Sequence, residues 1–159
     1  MASEDDILKI FEPRRSRKPI ETVSALASWM SSECANKTSY GIGWDISEGM
    51  RIDRFGATWR WQYTERSEVR TIKTFESESE IAACAYEQIR KDPWAWTHCV
   101  GWFKFECHKK AYTETLEDRG IAFYQDQIPF GGPEDPRYRI FVFGRDVLEL
   151  KKVNSIYGN

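Results

Sequence analysis

The length, composition and charge of the chain set the first limits on its structure and function. Its 159 residues are 41% hydrophobic and 14% aromatic, which suits one domain with a sizeable core and excludes bulk disorder. The net charge of −2 argues against a chain built mainly to neutralise nucleic-acid phosphates. No apolar run approaches the roughly 20 residues of a membrane span, and the start of the chain lacks the pattern of a signal peptide. We therefore expect a cytoplasmic protein with no nucleic-acid or membrane partner.

The chain is expected to begin with an N-terminal extension over residues 1–19. An acidic start around a short apolar stripe predicts a short helix there, and the basic run that follows predicts an exposed linker. Apolar residues then recur at helical spacing from Ile20 to Cys34, which predicts an amphipathic helix that Asn36 ends. We expect one domain over residues 20–153 and a loose tail over residues 154–159.

Residues 39–75 carry the two-residue alternation that is typical of β-strands. Trp59, Trp61 and Tyr63 alternate with polar residues, so all three are expected on one buried face of a strand. Short polar links between the runs predict a four-stranded antiparallel meander. If the tryptophan face were open instead, it could stack nucleic-acid bases, which is the less favoured alternative.

Two helix-start signals follow the meander. Ser77 and Glu80 form a capping box, which predicts a helix to about residue 91. Asp92-Pro93 repeats the start signal and Gly120 supplies a stop, which predicts a helix over residues 93–119. Its apolar face is expected to pack onto the meander.

The final part of the predicted fold is a loop and a strand. The Gly and Pro content of residues 130–136 predicts the loop, and the apolar residues 138–143 predict a buried strand. The predicted fold class is therefore α+β. We expect an antiparallel sheet, made of the meander at about 39–75 plus the strand at about 138–143, packed against two or three α-helices.

No residue pattern predicts a specific catalytic site, so we expect a protein that is not an enzyme, with no catalytic residue, metal or cofactor. His98, Cys99, Cys107 and His108 are natural zinc ligands, but the expected helix separates the two histidines by about 15 Å. We expect the cysteines to be buried thiols without crosslinks. Carboxylates near element ends leave a small hydrolase or nuclease open as an alternative.

A resemblance to a known class of proteins begins at the hairpin WRWQYTER, residues 59–66. It continues through the capped helix SESEIAACAYEQIR and the tryptophan-rich segment that follows. The chain resembles, over about residues 39–145, the small immunity proteins of bacterial polymorphic-toxin and contact-dependent growth inhibition systems. This resemblance implies a cytoplasmic α+β binding module that neutralises one cognate toxin domain, often a nuclease, without catalysis of its own.

The charge and the remaining alternatives qualify that expectation. The net charge of −2 departs from the strongly acidic immunity proteins that mimic nucleic acid. A structural subunit of a larger assembly is a second alternative to the binding module, besides the small hydrolase or nuclease.

Acidic clusters beside aromatic residues predict where a toxin would bind. The first candidate surface lies in the late loop and consists of Asp126, Phe130, Glu134 and Asp135. The alternative surface lies near the capped helix and consists of Glu76, Glu78, Glu80 and Trp94. We expect the carboxylates to speed association by steering, and a desolvated ring to slow dissociation.

Overall fold

The computed structural model describes residues 6 and 9–150, and it confirms the α+β class. Residues 6, 9 and 10 are helical, as the sequence predicts; the helices that follow them are α1 (Val23–Ser32), α2 (Glu78–Lys91) and α3 (Glu106–Asp118), and α4 begins at residue 146. The described residues divide into two compact units, which are residues 13–95 and residues 96–150 together with residues 6 and 9–12. The single domain over residues 20–153 stays a prediction, and the tail 154–159 lies outside the described residues.

The unit of residues 13–95 holds a four-stranded sheet in the order β1–β2–β3–β4. Its strands are β1 (Tyr40–Gly41), β2 (Gly49–Phe55), β3 (Thr58–Glu65) and β4 (Glu68–Phe75). The antiparallel meander of β2, β3 and β4 confirms the prediction for these three strands. The fourth strand was predicted wrongly, because β1 has two residues and runs parallel to β2. Gly43, with φ +85°, turns the chain out of the strand just after β1.

The tryptophan face of the meander is packed, as the alternation predicts. Trp61 is only 3% exposed, and Trp59 and Tyr63 are half-buried. The indole Nε1–H of Trp61 donates to Gln88 Oε1 on α2 at 3.1 Å, and its ring stacks on Tyr40 at 6.3 Å. Because α2 covers Trp61, this tryptophan is a core residue, and with Trp59 half-buried the face is not an open surface for base stacking.

Local capping explains where α1 and α2 begin and end. Thr22 caps α1, and Ser77 caps α2 by accepting from the backbone N–H of Glu80 at 3.3 Å, as predicted. The chain leaves α1 through Cys34, whose φ is +57°, two residues before the expected stop at Asn36. The segment expected to be an exposed linker packs on this unit, since the Trp29 indole donates to the Arg14 carbonyl at 2.9 Å.

The second unit holds a three-stranded antiparallel sheet in the order β5–β7–β6, made of β5 (Thr97–Phe103), β6 (Tyr124–Ile128) and β7 (Arg137–Phe143). The predicted strand at 138–143 is confirmed as a strand, but its assignment to the meander sheet was wrong. It pairs instead with β5 and β6.

The predicted helix over residues 93–119 was also wrong. The Asp92-Pro93 signal starts only a single 3₁₀ turn, Pro93–Trp96, and β5 follows it before α3 begins at Glu106. Aromatic and β-branched residues dominate β5, and they suit a strand that pairs with β7. The stop signal at Gly120 is confirmed, because its φ of +67° ends α3.

One face of the β5–β7–β6 sheet packs on α3 and α4 and forms the core of this unit. The buried core residues are Leu116, Ile121, Ile140, Val142 and Leu150. Burying each such aliphatic side chain stabilises the fold by about 1.5–3 kcal/mol relative to leaving it in water. On the opposite face Phe141 and Phe143 are also buried, so the part around Arg137 and Arg139 is the more open part of that face.

The hairpin turn between β3 and β4 yields a stability prediction. Arg66 and Ser67 both have positive φ, +50° and +69°, which is a turn geometry that favours Asn-Gly. We expect the double substitution Arg66→Asn, Ser67→Gly to raise the free energy of unfolding by about 1–2 kcal/mol, because left-handed backbone is costly for ordinary residues. Urea denaturation of both proteins measures this difference in the free energy of unfolding.

The matched control is the turn between β2 and β3. Gly56 has φ +61° there, so Gly56→Ser should lower the free energy of unfolding by about 1 kcal/mol. Equal stability of all three proteins would contradict this account of the turns.

Candidate protein-binding surface

The side chains of strand β7 alternate between the core face and the opposite face of its sheet. Ile140 and Val142 point into the core, while Arg137 and Arg139 alternate with them on the other face, which is buried farther along the strand at Phe141. Residues paired directly across antiparallel strands share a face, so Trp102 of β5 and Asp126 of β6 flank Arg139. The aromatic–arginine surface of this protein consists of Trp102, Asp126, Phe130, Arg137 and Arg139.

Two exposed aromatic rings form the apolar part of this surface. Phe130, in the loop between β6 and β7, is 62% exposed, and Trp102 is 50% exposed. The rings meet edge to face, with centroids 5.7 Å apart and an interplanar angle of 88°. The guanidinium of Arg137 lies over the Phe130 ring at 4.7 Å. The two rings are thus fixed in position, with much of their area open to solvent.

The carboxylate of Asp135 holds Arg137 in this place. Arg137 donates from Nη1 to Asp135 Oδ1 at 2.6 Å and to the Pro136 carbonyl at 3.0 Å. Lys104 Nζ lies 3.7 Å from the same carboxylate oxygen. The hydrogen bond from Arg137 lowers the pKa of Asp135 below its ordinary value, and the charges of Arg137 and Lys104 act in the same direction.

A second arginine–carboxylate pair occupies the middle of the sheet. Arg139 Nε donates to Asp126 Oδ1 at 2.8 Å, and its Nη2 bonds the second carboxylate oxygen. The same guanidinium lies over the Phe141 ring at 5.1 Å. This bidentate pair neutralises Asp126, whose side chain is only 7% exposed.

The structure places the four residues of the first predicted surface in different roles. Phe130 and Glu134 are exposed, as a binding loop requires. Asp126 was expected in the loop, but it lies within β6 and is held by Arg139, because the strand begins at Tyr124. Asp135 is in the loop, but its charge is engaged by Arg137 and Lys104. Glu134 is therefore the carboxylate of this set best placed for long-range steering.

Sequence reasoning did not assign Trp102, Arg137 or Arg139 to this surface. Because a helix was predicted over residues 93–119, the position of Trp102 on a strand was not recognised. The arginines carried a readable signal, because they stand two residues apart at the start of an otherwise apolar strand. Such an alternation predicts one open face with cationic side chains.

The alternative surface does not come together as one patch. Glu76, Glu78 and Glu80 lie at the start of α2, whereas Trp94 follows its last turn. A 14-residue helix is about 21 Å long, so the carboxylates and the ring lie at opposite ends of it. Glu78 also has a structural role, because its Oε1 accepts from the backbone N–H of Val23 at 3.0 Å.

The metal ligands considered from the sequence are not brought together. Among the described residues, no group of three His, Cys, Asp or Glu side chains is placed to hold a metal ion. The expectation of buried thiols was wrong, since Cys34 and Cys84 are half-buried and Cys99 and Cys107 are exposed. Partial burial raises the pKa of the Cys99 thiol, which keeps it in the less reactive protonated form.

Comparison of the chain with protein-family models, with curated proteins and with solved structures found no match. Over residues 6 and 9–150, no helix combines the length and the apolar character that crossing a membrane requires. The geometry of the aromatic–arginine surface is therefore the main guide to function.

The Asp135–Arg137 pair yields a prediction on pH. Because the folded-state pKa of Asp135 is lowered, the pair contributes stability above the unfolded pKa of about 3.9 and loses it as pH falls through the folded value. We expect carboxylate ¹³C NMR to show Asp135 titrating below its ordinary pKa. Arg137→Gln should move the midpoint upward, while Arg70→Gln on β4 should not. An ordinary midpoint in the unsubstituted protein would contradict the pairing.

Proposed function

We propose that this protein is a non-catalytic cytoplasmic immunity protein that binds and neutralises a cognate bacterial toxin domain. The observation that carries the proposal is the exposed Trp102–Phe130 pair, held in place by Arg137. The resemblance of residues 39–145 to immunity proteins supports the same reading. A nuclease is one class of toxin that fits this role.

The composition of the surface supports a protein partner. Tryptophan, tyrosine and arginine are the residues that dominate binding energy at protein interfaces, where a few central side chains carry most of it. Trp102 and Phe130 are half or more exposed, so a partner that covers them removes large apolar areas from water. Full burial of one such ring is worth about 1.5–3 kcal/mol.

The rigidity of the surface also favours binding. The rings are carried by a strand and by a loop that Asp135 and Arg137 tie down, since the Gly131 N–H donates to the Asp135 carbonyl at 3.0 Å. An anchor that is already fixed in the free protein loses little conformational entropy when it is buried. We therefore assign affinity to the rings and a steering role to Glu134.

The direct test is coexpression with a candidate toxin. The candidate toxin to test is the C-terminal domain of a large secreted protein, where the neighbouring upstream reading frame encodes such a protein. We expect the unsubstituted protein to restore growth of cells that express this domain, and to bind it as a purified complex. Failure to bind and to restore growth would contradict the proposed function.

Substitutions at the surface test the location of the site. Trp102→Ala and Phe130→Ala should each weaken toxin binding by about tenfold or more, mainly through faster dissociation. Phe105→Ala is the matched control, because Phe105 is 56% exposed but contacts His108 at the start of α3. Glu134→Lys should slow association where the toxin surface that faces this loop is basic, and it should leave dissociation nearly unchanged. Surface plasmon resonance measures both rates.

The outcome separates the proposal from its two alternatives. Hydrolysis of a substrate by the purified protein would favour a small hydrolase or nuclease. An obligate complex with a non-toxic partner would favour a structural subunit. Equal affinities of the Trp102, Phe130 and Phe105 variants would place the toxin site away from the aromatic–arginine surface.

A further inference from the structure

The hairpin of β2 and β3 carries at its tip an aromatic residue whose ring is not buried in the core. Phe55 is the last residue of β2, beside the two-residue turn Gly56-Ala57, and it is 70% exposed. It is the most exposed of the large hydrophobic side chains in the described residues. A ring that is exposed to this degree can still gain burial energy from a partner, so Phe55 is available as an anchor outside the unit of residues 13–95.

Two arginines fix the geometry of this tip. The Arg60 guanidinium lies over the Phe55 ring at 4.7 Å, and its Nε donates to Asp53 Oδ2 at 3.0 Å. Arg54 Nε donates to the Gly56 carbonyl at 3.0 Å and its guanidinium lies over the Trp59 ring at 5.2 Å. The ring therefore projects from a rigid hairpin in a defined orientation.

The charge around the tip is positive, in contrast to the chain as a whole. Residues 53–60 contain two arginines and one aspartate, and because Asp53 pairs with Arg60, the excess positive charge beside Phe55 is that of Arg54. Lys73 of β4 adds a positive charge near this end of the sheet, and Glu76 adds one carboxylate beyond Phe75. An excess of cations beside an exposed ring is complementary to an apolar pocket with carboxylates at its mouth.

We infer that the Phe55 hairpin inserts into an apolar, carboxylate-rimmed cleft of the toxin domain. This inference rests on the proposed function and specifies the chemistry of the partner. It separates this protein from inhibitors that present acidic groups to a basic nucleic-acid cleft. The toxin clefts that fit are acidic ones, such as those that use paired carboxylates or carboxylate-held metal ions for catalysis.

A membrane surface is a less favourable partner for the same hairpin tip. One buried phenylalanine supplies about 1.5–3 kcal/mol, and a single weak apolar anchor gives only marginal membrane binding. A protein pocket can enclose the ring and pair with the arginines at once.

The experiment measures binding of purified variants to the candidate toxin domain named under the proposed function. We expect Phe55→Ala to weaken binding at least about tenfold. Val69→Ala is the matched control, since Val69 is 48% exposed on the same sheet beside the other turn, and its effect should stay below about twofold. Thermal unfolding of both variants checks that the sheet is intact.

A charge substitution tests the carboxylate rim. Arg54→Gln should slow association at low salt, and this loss should shrink as salt rises, whereas Arg70→Gln should have little effect. If Arg54→Gln acted only by loosening the Gly56-Ala57 turn, binding would be weakened by the same factor at every salt concentration. If removal of the Arg54 charge strengthened binding instead, the rim would be basic and the inference would be overturned.

The remaining outcomes distinguish this inference from the proposed function. If the unsubstituted protein binds the toxin domain but Phe55→Ala and Val69→Ala behave alike, the hairpin inference is overturned and the proposed function stands. If the unsubstituted protein does not bind the toxin domain, both the proposed function and the hairpin inference are contradicted. Cosedimentation with phosphatidylserine vesicles that is lost in Phe55→Ala would assign the tip to a membrane and overturn the inference.

Discussion

The two-residue period of β7 is the constraint on which the proposed binding surface depends. Ile140 and Val142 are held in the core, and this fixes Arg137 and Arg139 on the opposite face. A shift of one residue would turn both guanidinium groups into the core, so the cost of burying these charges specifies the register together with the burial of Ile140 and Val142. The surface is therefore a consequence of the core packing and needs no separate folding information.

The arginines of the two sheets allow aromatic rings to remain exposed. Each of Phe55 and Phe130 has a guanidinium over its ring at 4.7 Å, and each of these guanidinium groups is bound to an aspartate. A cation over an exposed ring contributes about 0.5–1 kcal/mol, which is less than burial of the ring in a partner. The arrangement holds each ring in position but leaves much of its apolar area exposed to solvent. A preorganised anchor for a partner requires both.

The sequence was informative where one local signal dominated. The capping of α2 at Ser77 and the end of α3 at Gly120 depend on a few neighbouring atoms, and both predictions were confirmed. The helix predicted over residues 93–119 failed because the apolar spacing fitted a helix, while pairing with β7, some forty residues away in sequence, decided in favour of a strand. Phe130 was identified as an exposed ring from the sequence, but its neighbour Trp102 required knowledge of that pairing.

The charge pairing also limits how the partner is recognised. Asp126 and Asp135 are carboxylates that sequence reasoning assigned to steering, yet each is bound by an arginine on the same sheet face. A neutralised pair contributes little field at the distances over which proteins approach each other. Association must therefore be guided by other charges, while the rings act after contact, when water is removed. This separation of roles means that the rate of association and the rate of dissociation should respond to different residues of the same molecule.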